Sequence, residues 1–165
     1  MVFRTMLCGA GLVSLMVACV SANAVPLALD VSGNITTVTD KQHGIYHFSE
    51  ADLRALPVHT IETSTNWTSR ARWQGPSLAD VLARVGARGK SIKVYAYDDY
   101  NQEIPLSFIQ RYSPILAYSE DGQQLELNNF GPLFIVFPRD QFPSELSDVS
   151  SQRRFVFQVR RIEVK

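Results

Sequence analysis

Cysteine is nearly missing from this chain: of 165 residues only Cys8 and Cys19 carry a thiol, and both fall within the first twenty positions. From there to Lys165 the sequence can form no disulfide, presents no thiolate nucleophile and offers no sulfur donor to a metal. Charge imbalance is missing too, since 16 basic residues face 16 acidic ones. A phosphate backbone is gripped by a clustered basic face. The one local cluster, Arg153-Arg154 with Arg160-Arg161, falls on a segment that reads as a strand and points its residues to different sides, so nucleic acid is not an expected partner. Histidine is scarce, with His43, His47 and His59 making up the three. His43 and His47 stand four apart with Glu50 close behind, which on a helix would supply part of a zinc site. Gly44 and the β-favouring Ile45-Tyr46 argue against a helix there, and zinc takes three or four ligands. These read as surface-loop histidines, and no metal site is expected. No serine lies in a Gly-x-Ser-x-Gly turn, and the glycine patterns of dinucleotide and P-loop sites are lacking. These signals assign no catalytic residue.

What is present begins with a leader. Arg4 precedes the apolar run from Met6 to Val20, which closes on Ala22-Asn23-Ala24. A charged start, an apolar middle and a small-x-small end form the pattern a signal peptidase reads, because its pocket holds only small side chains. Residues 1–24 are therefore expected to be a bacterial signal peptide cleaved after Ala24, and 25–165 a single exported domain, periplasmic or secreted. Glycines interrupt the run, and it sits near the lower limit of the roughly 17–25 residues a spanning helix needs. Met16-Val17-Ala18-Cys19 loosely resembles a lipoprotein processing site, so lipid attachment at Cys19 stays open as a variant.

The remaining length suits one sizeable core. Leu27 to Asn34 alternates apolar and other residues up to a Gly-Asn turn and reads as a strand. Ser49 and Asp52 set up an N-cap for a short helix that Pro57 limits. His59 to Thr65 is β-favouring. Ser77 can cap a helix whose Leu78, Val81, Leu82 and Val85 recur at helical spacing, and Gly86 supplies its left-handed end. Ser91 to Tyr97 alternates, Asp98-Asp99 turns the chain, and Tyr100 to Ile104 returns as a hairpin partner. A short helix over Leu106 to Tyr112 and a strand at Ile115 to Tyr118 follow, before a turn at Glu120-Asp121-Gly122. Leu133 to Phe137 is apolar on both faces and reads as a buried central strand ending at Pro138. Arg154 to Val164 alternates with a phase slip that a bulge near Arg160-Arg161 would absorb. Strands interspersed with short helices and hairpin turns predict an α+β domain built on mixed β-sheet.

The stretch Thr63 to Trp73 stands out, rich in hydroxyls, amide, indole and guanidinium, and joining a predicted strand to the clearest helix. It can present hydrogen-bond donors to a polar or anionic ligand with Trp67 as an apolar wall. It can equally be a capped connection whose tryptophans fill the edge of the core.

Ala71-Arg72-Trp73-Gln74-Gly75-Pro76-Ser77-Leu78-Ala79-Asp80-Val81-Leu82 is similar to the Trp-x-Gly-x-x-Leu-x-x-Leu segment of the sulfite oxidase family's molybdopterin-binding domain. Leu116-Ala117-Tyr118 with Asp121-Gly122, then Gly131 to Pro138, then Phe157 with Ile162-Glu163-Val164, continue the resemblance in order. It implies a sulfite oxidase-like fold. In that family's enzymes a cysteine in a Cys-x-Gly-Asn-like motif, ahead of the Trp-x-Gly segment, ligates molybdenum. The matching region here reads Thr63-Ser64-Thr65-Asn66-Trp67, and an alcohol cannot supply the soft thiolate. The resemblance thus implies a cofactor-free binding or sensing module, served by a small polar or anionic ligand and a membrane-bound signalling or redox partner. The alternative is a molybdopterin-dependent oxidoreductase with a non-cysteine ligand. The residues expected to border a ligand pocket are Thr63, Ser64, Thr65, Asn66, Trp67 and Arg70, with the turn at Tyr97-Asp98.

Overall fold

The computed structural model describes residues 25–165; the leader, its cleavage after Ala24 and the variant at Cys19 lie outside the described residues. In chain order the elements are β1 (Leu29–Gly33), β2 (Tyr46–Phe48), α1 (Glu50–Arg54), β3 (Val58–Thr63), β4 (Ala71–Pro76), α2 (Leu78–Arg84), β5 (Ser91–Ala96), β6 (Asn101–Pro105), α3 (Leu106–Tyr112), β7 (Ile115–Ala117), β8 (Ser119–Glu120), β9 (Gln123–Gln124), β10 (Phe134–Val136), α4 (Pro143–Leu146), α5 (Val149–Gln152) and β11 (Val159–Val164). A mixed five-stranded sheet runs β2-β1-β11-β5-β6, in which β1 and β11 are parallel and the other neighbours antiparallel. An antiparallel sheet runs β3-β4-β8-β9, and β10 pairs with β7. This is an α+β architecture, as the patterning predicts.

Local chemistry explains the helices that the sequence announces. Ser49 Oγ accepts the Asp52 N–H at 3.2 Å while the Asp52 carboxylate accepts the Ser49 N–H at 3.0 Å, a reciprocal capping box. Ser77 Oγ accepts the Asp80 N–H at 3.0 Å to start α2, whose Leu78, Val81 and Leu82 are buried with Val85 just after it. Gly86 ends it at φ +61°, a conformation glycine adopts without penalty. The bulge also falls where the phase slip places it: the register of β11 against β5 shifts between Val159 and Arg161, and Val159, Ile162 and Val164 are all buried.

Several expectations need correction. The stretch Thr63 to Trp73 is not one connection, because Ala71–Pro76 is a strand hydrogen-bonded to β3 on one side and β8 on the other. Leu133 to Phe137 is fully buried, yet its strand belongs to a two-stranded pair and is not central to a larger sheet. The last strand starts at Val159, not Arg154, since Gln158 sits at φ +55° and breaks the extended chain. The arginine cluster therefore does not share one strand: Arg153 and Arg154 follow α5, and only Arg160 and Arg161 lie on β11.

The three histidines each meet an aspartate: His43 pairs with Asp40 at 2.7 Å, His47 with Asp30 at 2.7 Å and His59 with Asp80 at 2.9 Å. His47 lies on β2 and His59 on β3, so only His43 is a loop residue. Among the described residues no group of three or more His, Cys, Asp or Glu gathers as a metal site would require, and no helix is long and apolar enough to cross a membrane.

Candidate functional site

Between β3 and β4 the chain makes a loop organised by threonines. Thr65, 5% exposed, accepts the backbone N–H groups of Trp67 and Thr68 at 3.1 Å each through its hydroxyl, which also meets the Thr68 hydroxyl at 2.9 Å. Side-chain oxygens that bond to the backbone in this way stabilise turns. Trp67 is thereby held outward at 50% exposure, its ring edge-on to Phe157 at 5.4 Å and Phe134 at 6.4 Å between centroids.

The base of this loop is pinned to the chain after β10. Thr63 is wholly buried; its Oγ1 accepts the Asp140 N–H at 3.0 Å and donates to the Ser64 carbonyl at 3.3 Å. Ser64 donates its backbone N–H and hydroxyl to the Asp140 carboxylate at 3.0 and 2.6 Å. Burial is the largest single influence on the Asp140 carboxyl and pushes its pKa up. The two bonds from Ser64, with Arg70 and Arg139 nearby, outweigh that and hold it below the ordinary 3.8. A carboxylate with a lowered folded-state pKa adds stability that is present above its ordinary range and lost as pH falls through and below 3.8. Asp140→Asn is accordingly expected to be less stable than the parent at pH 7, with the gap narrowing at pH 3. Urea midpoints at the two pH values check this, and a gap independent of pH would refute it.

Beside the loop lies a cavity of about 340 Å³. Asn66 and Trp67 form one wall. Ala96, Asp98 and Tyr100 come from the end of β5 and the turn into β6. Val149, Gln152 and Arg153 from α5 and its end, with Phe155, Val156 and Phe157 behind them, close the third side. The lining is mainly apolar with a few polar groups, the usual composition of small-molecule sites, and the volume is near their lower limit.

Of the sequence-predicted residues, Asn66, Trp67 and Asp98 thus meet around one cavity, and Thr65 lines an adjoining crevice with Arg139. Thr63 and Ser64 sit in the staple to Asp140. Arg70 pairs at 3.3 Å with Glu62, both exposed. Tyr97 donates its backbone N–H to the Gln158 carbonyl at 3.0 Å and is outside the lining. Sequence reasoning missed the wall from Val149 to Phe157. The signal was there: Phe155-Val156-Phe157 is three apolar residues in a row, which a half-buried strand does not show.

An α+β domain with a hydroxyl-bearing loop ahead of a Trp-x-Gly strand is of the molybdopterin-binding oxidoreductase type, with a sulfite oxidase-like fold. The chain belongs to the family described as oxidoreductase molybdopterin binding domain, whose model matches residues 27–142. No curated protein matches the chain. The family match stops short of Val149 to Phe157, so one side of the cavity comes from beyond it.

The loop's donor set does not fit a thiolate-held molybdenum centre. If Asn66 is set against the asparagine of the Cys-x-Gly-Asn motif that the resemblance supplies, Thr63 would stand at the cysteine and Thr65 at the glycine. The Thr63 oxygen is neutral near pH 7, wholly buried and already engaged as acceptor and donor. A soft metal site requires an ionised sulfur with a lone pair to give.

Proposed function

We propose that this chain is an exported binding or sensing module that keeps the molybdopterin-domain fold without the cofactor, and that its cavity takes a small organic ligand. The observation that carries the reading is Thr63. The residue in the cysteine's place has its hydroxyl committed to Asp140 and Ser64, while the loop it anchors still presents Asn66 and Trp67 to a cavity. An anchored loop framing a largely apolar cavity serves recognition, which needs shape and a few placed polar groups. It does not need a redox centre. Ligand occupancy would couple the 64–70 loop to the segment after α5, and a membrane-bound signalling partner would read that coupling from outside the cytoplasm.

The test is elemental and pterin analysis of the full chain after expression in a host that makes and exports molybdenum cofactor. The expected result is no molybdenum and no released pterin above a control protein purified alongside, with a mature mass that begins after Ala24. Stoichiometric molybdenum or pterin would overturn the cofactor-free reading in favour of an oxidoreductase with a non-cysteine ligand.

A further inference from the structure

Four arginines lie close in sequence around the last two elements, and three have clear occupations. Arg154 lies over the Phe108 ring at 4.2 Å, Arg161 over the Tyr95 ring at 3.9 Å, and Arg160 bonds the Ala96 carbonyl at 2.9 Å and pairs with Asp99. Arg153 is different. It is exposed at the end of α5, lines the cavity, and its guanidinium has no hydrogen-bond or ion-pair partner among the described residues. Its backbone is fixed, because Tyr100 donates its hydroxyl to the Arg153 carbonyl at 3.1 Å. This bond ties the end of α5 to the β5–β6 turn.

On that turn Asp98 also lines the cavity. One carboxylate oxygen accepts the Tyr100 N–H at 3.0 Å; the other has no partner among the described residues. The cavity therefore borders an unpaired cation and a half-satisfied anion that do not pair with each other. The same cavity is lined by the apolar side chains of Trp67, Phe155, Phe157 and Val149 and by Asn66, whose amide makes no side-chain hydrogen bond among the described residues. A purely anionic ligand would meet Asp98 and a purely cationic one Arg153, each a like-charge cost at the mouth of the cavity. A molecule with both charges and an apolar body satisfies every wall.

We infer that the cavity binds a zwitterionic, amino-acid-like molecule with a large apolar side chain, its carboxylate held by Arg153 and its ammonium by Asp98. The inference rests on the cofactor-free reading and adds a ligand class to it. Trp67 packs against the side chain, and its half-exposed indole reports binding while Trp73 stays buried.

Calorimetric titration of the full chain with L-phenylalanine, phenylacetate, phenethylamine and glycine tests the assignment, with Trp67 fluorescence as a second readout. L-phenylalanine is expected to bind at least about tenfold more tightly than any of the other three, since each lost charge-assisted bond or apolar contact is worth that much. Arg153→Gln is expected to weaken L-phenylalanine and phenylacetate but not phenethylamine. Asp98→Asn is expected to weaken L-phenylalanine and phenethylamine but not phenylacetate. Both positions are exposed, and thermal melts matching the parent will show that the variants fold. Phenylacetate or phenethylamine binding as tightly as L-phenylalanine would overturn the two-charge assignment, and so would a protein that binds none of the probes. Either failure in molybdenum-free protein leaves the cofactor-free reading standing; molybdenum in the protein sinks that reading whatever the titrations give.

Discussion

Trp73→Ala is expected to lower the unfolding free energy by about 3–5 kcal/mol, the range for truncating a large buried aromatic residue. Trp73 has no exposed surface, stands edge-on to Phe134 at 5.1 Å and Phe130 at 6.0 Å, and donates its indole N–H to the Thr63 carbonyl at 3.3 Å. Two losses combine. The cavity term dominates, because the ring fills space between strands that cannot close over it. The orphaned Thr63 carbonyl adds about 1–3 kcal/mol if nothing replaces the indole. Trp73→Phe separates them, keeping most of the apolar volume and losing the bond, and is expected to cost about 1–3 kcal/mol. Urea unfolding followed by far-UV circular dichroism measures both. A Trp73→Ala midpoint equal to the parent's would mean that the ring does not sit in the core. Because Thr63 also carries the bond to Asp140, the alanine variant should loosen the Asn66-Trp67 loop before the chain unfolds globally.

The elements legible in the sequence are those whose cause is local. α2 has its cap at Ser77, its apolar spacing and its glycine end within one short window, and the hairpin of β5 and β6 has alternation on both sides of Asp98-Asp99. The bulge was legible because a phase slip between buried residues leaves no other way to keep one face inside. β4 was not. Arg72, Gln74, Gly75 and Pro76 are poor strand formers, and the segment is a strand because β3 and β8 pair with it on both edges. α4 and α5, four residues each, have local starts in Pro143 and in the Asp148 cap, which accepts the Ser150 and Ser151 N–H groups, but are too short to stand without the burial of Leu146 and Ser151.

The site divides in the same way. The loop half could be found because hydroxyls, an amide and an exposed indole clustered in a few residues. The other half depends on the chain leaving the strand before Val159, which the positive φ of Gln158 enforces and which only the unbroken apolar run Phe155-Val156-Phe157 hints at in the sequence. Phe155 and Phe157 therefore read as strand core, whereas they back a cavity. Thr63 shows the limit from the other side: its hydroxyl reads as a ligand group, yet tertiary contact with a residue 77 positions later consumes it.

Gly75→Val is expected to destabilise the fold by about 3 kcal/mol or more, at the upper end of what inserted volume costs. Two effects oppose each other. Glycine inside a strand is unfavourable by roughly 0.5–1 kcal/mol, and valine is among the best strand residues, so propensity alone predicts a gain. Sterics predict the reverse. A Cβ on Gly75 would stand 2.1 Å from the Leu116 carbonyl oxygen and 2.8 Å from the Ala117 Cα, both in the backbone of β7. That backbone cannot step aside: Leu116 is fully buried and paired with Ile135 on β10, Ser77 bridges Ile115, and Tyr118 donates its N–H to the Gln74 carbonyl at 2.9 Å. Relief requires β4 and β7 to separate, which would open the core on both sides of Trp73. The clash exceeds the propensity gain, and Gly75→Ala, with the same Cβ and less volume, should fall between parent and valine variant. The glycine of the Trp-x-Gly segment is thus present for close approach of two strands, a role independent of any bound group. Denaturation midpoints of the three proteins give the order directly, and a valine variant as stable as the parent would show that β4 and β7 do not approach this closely.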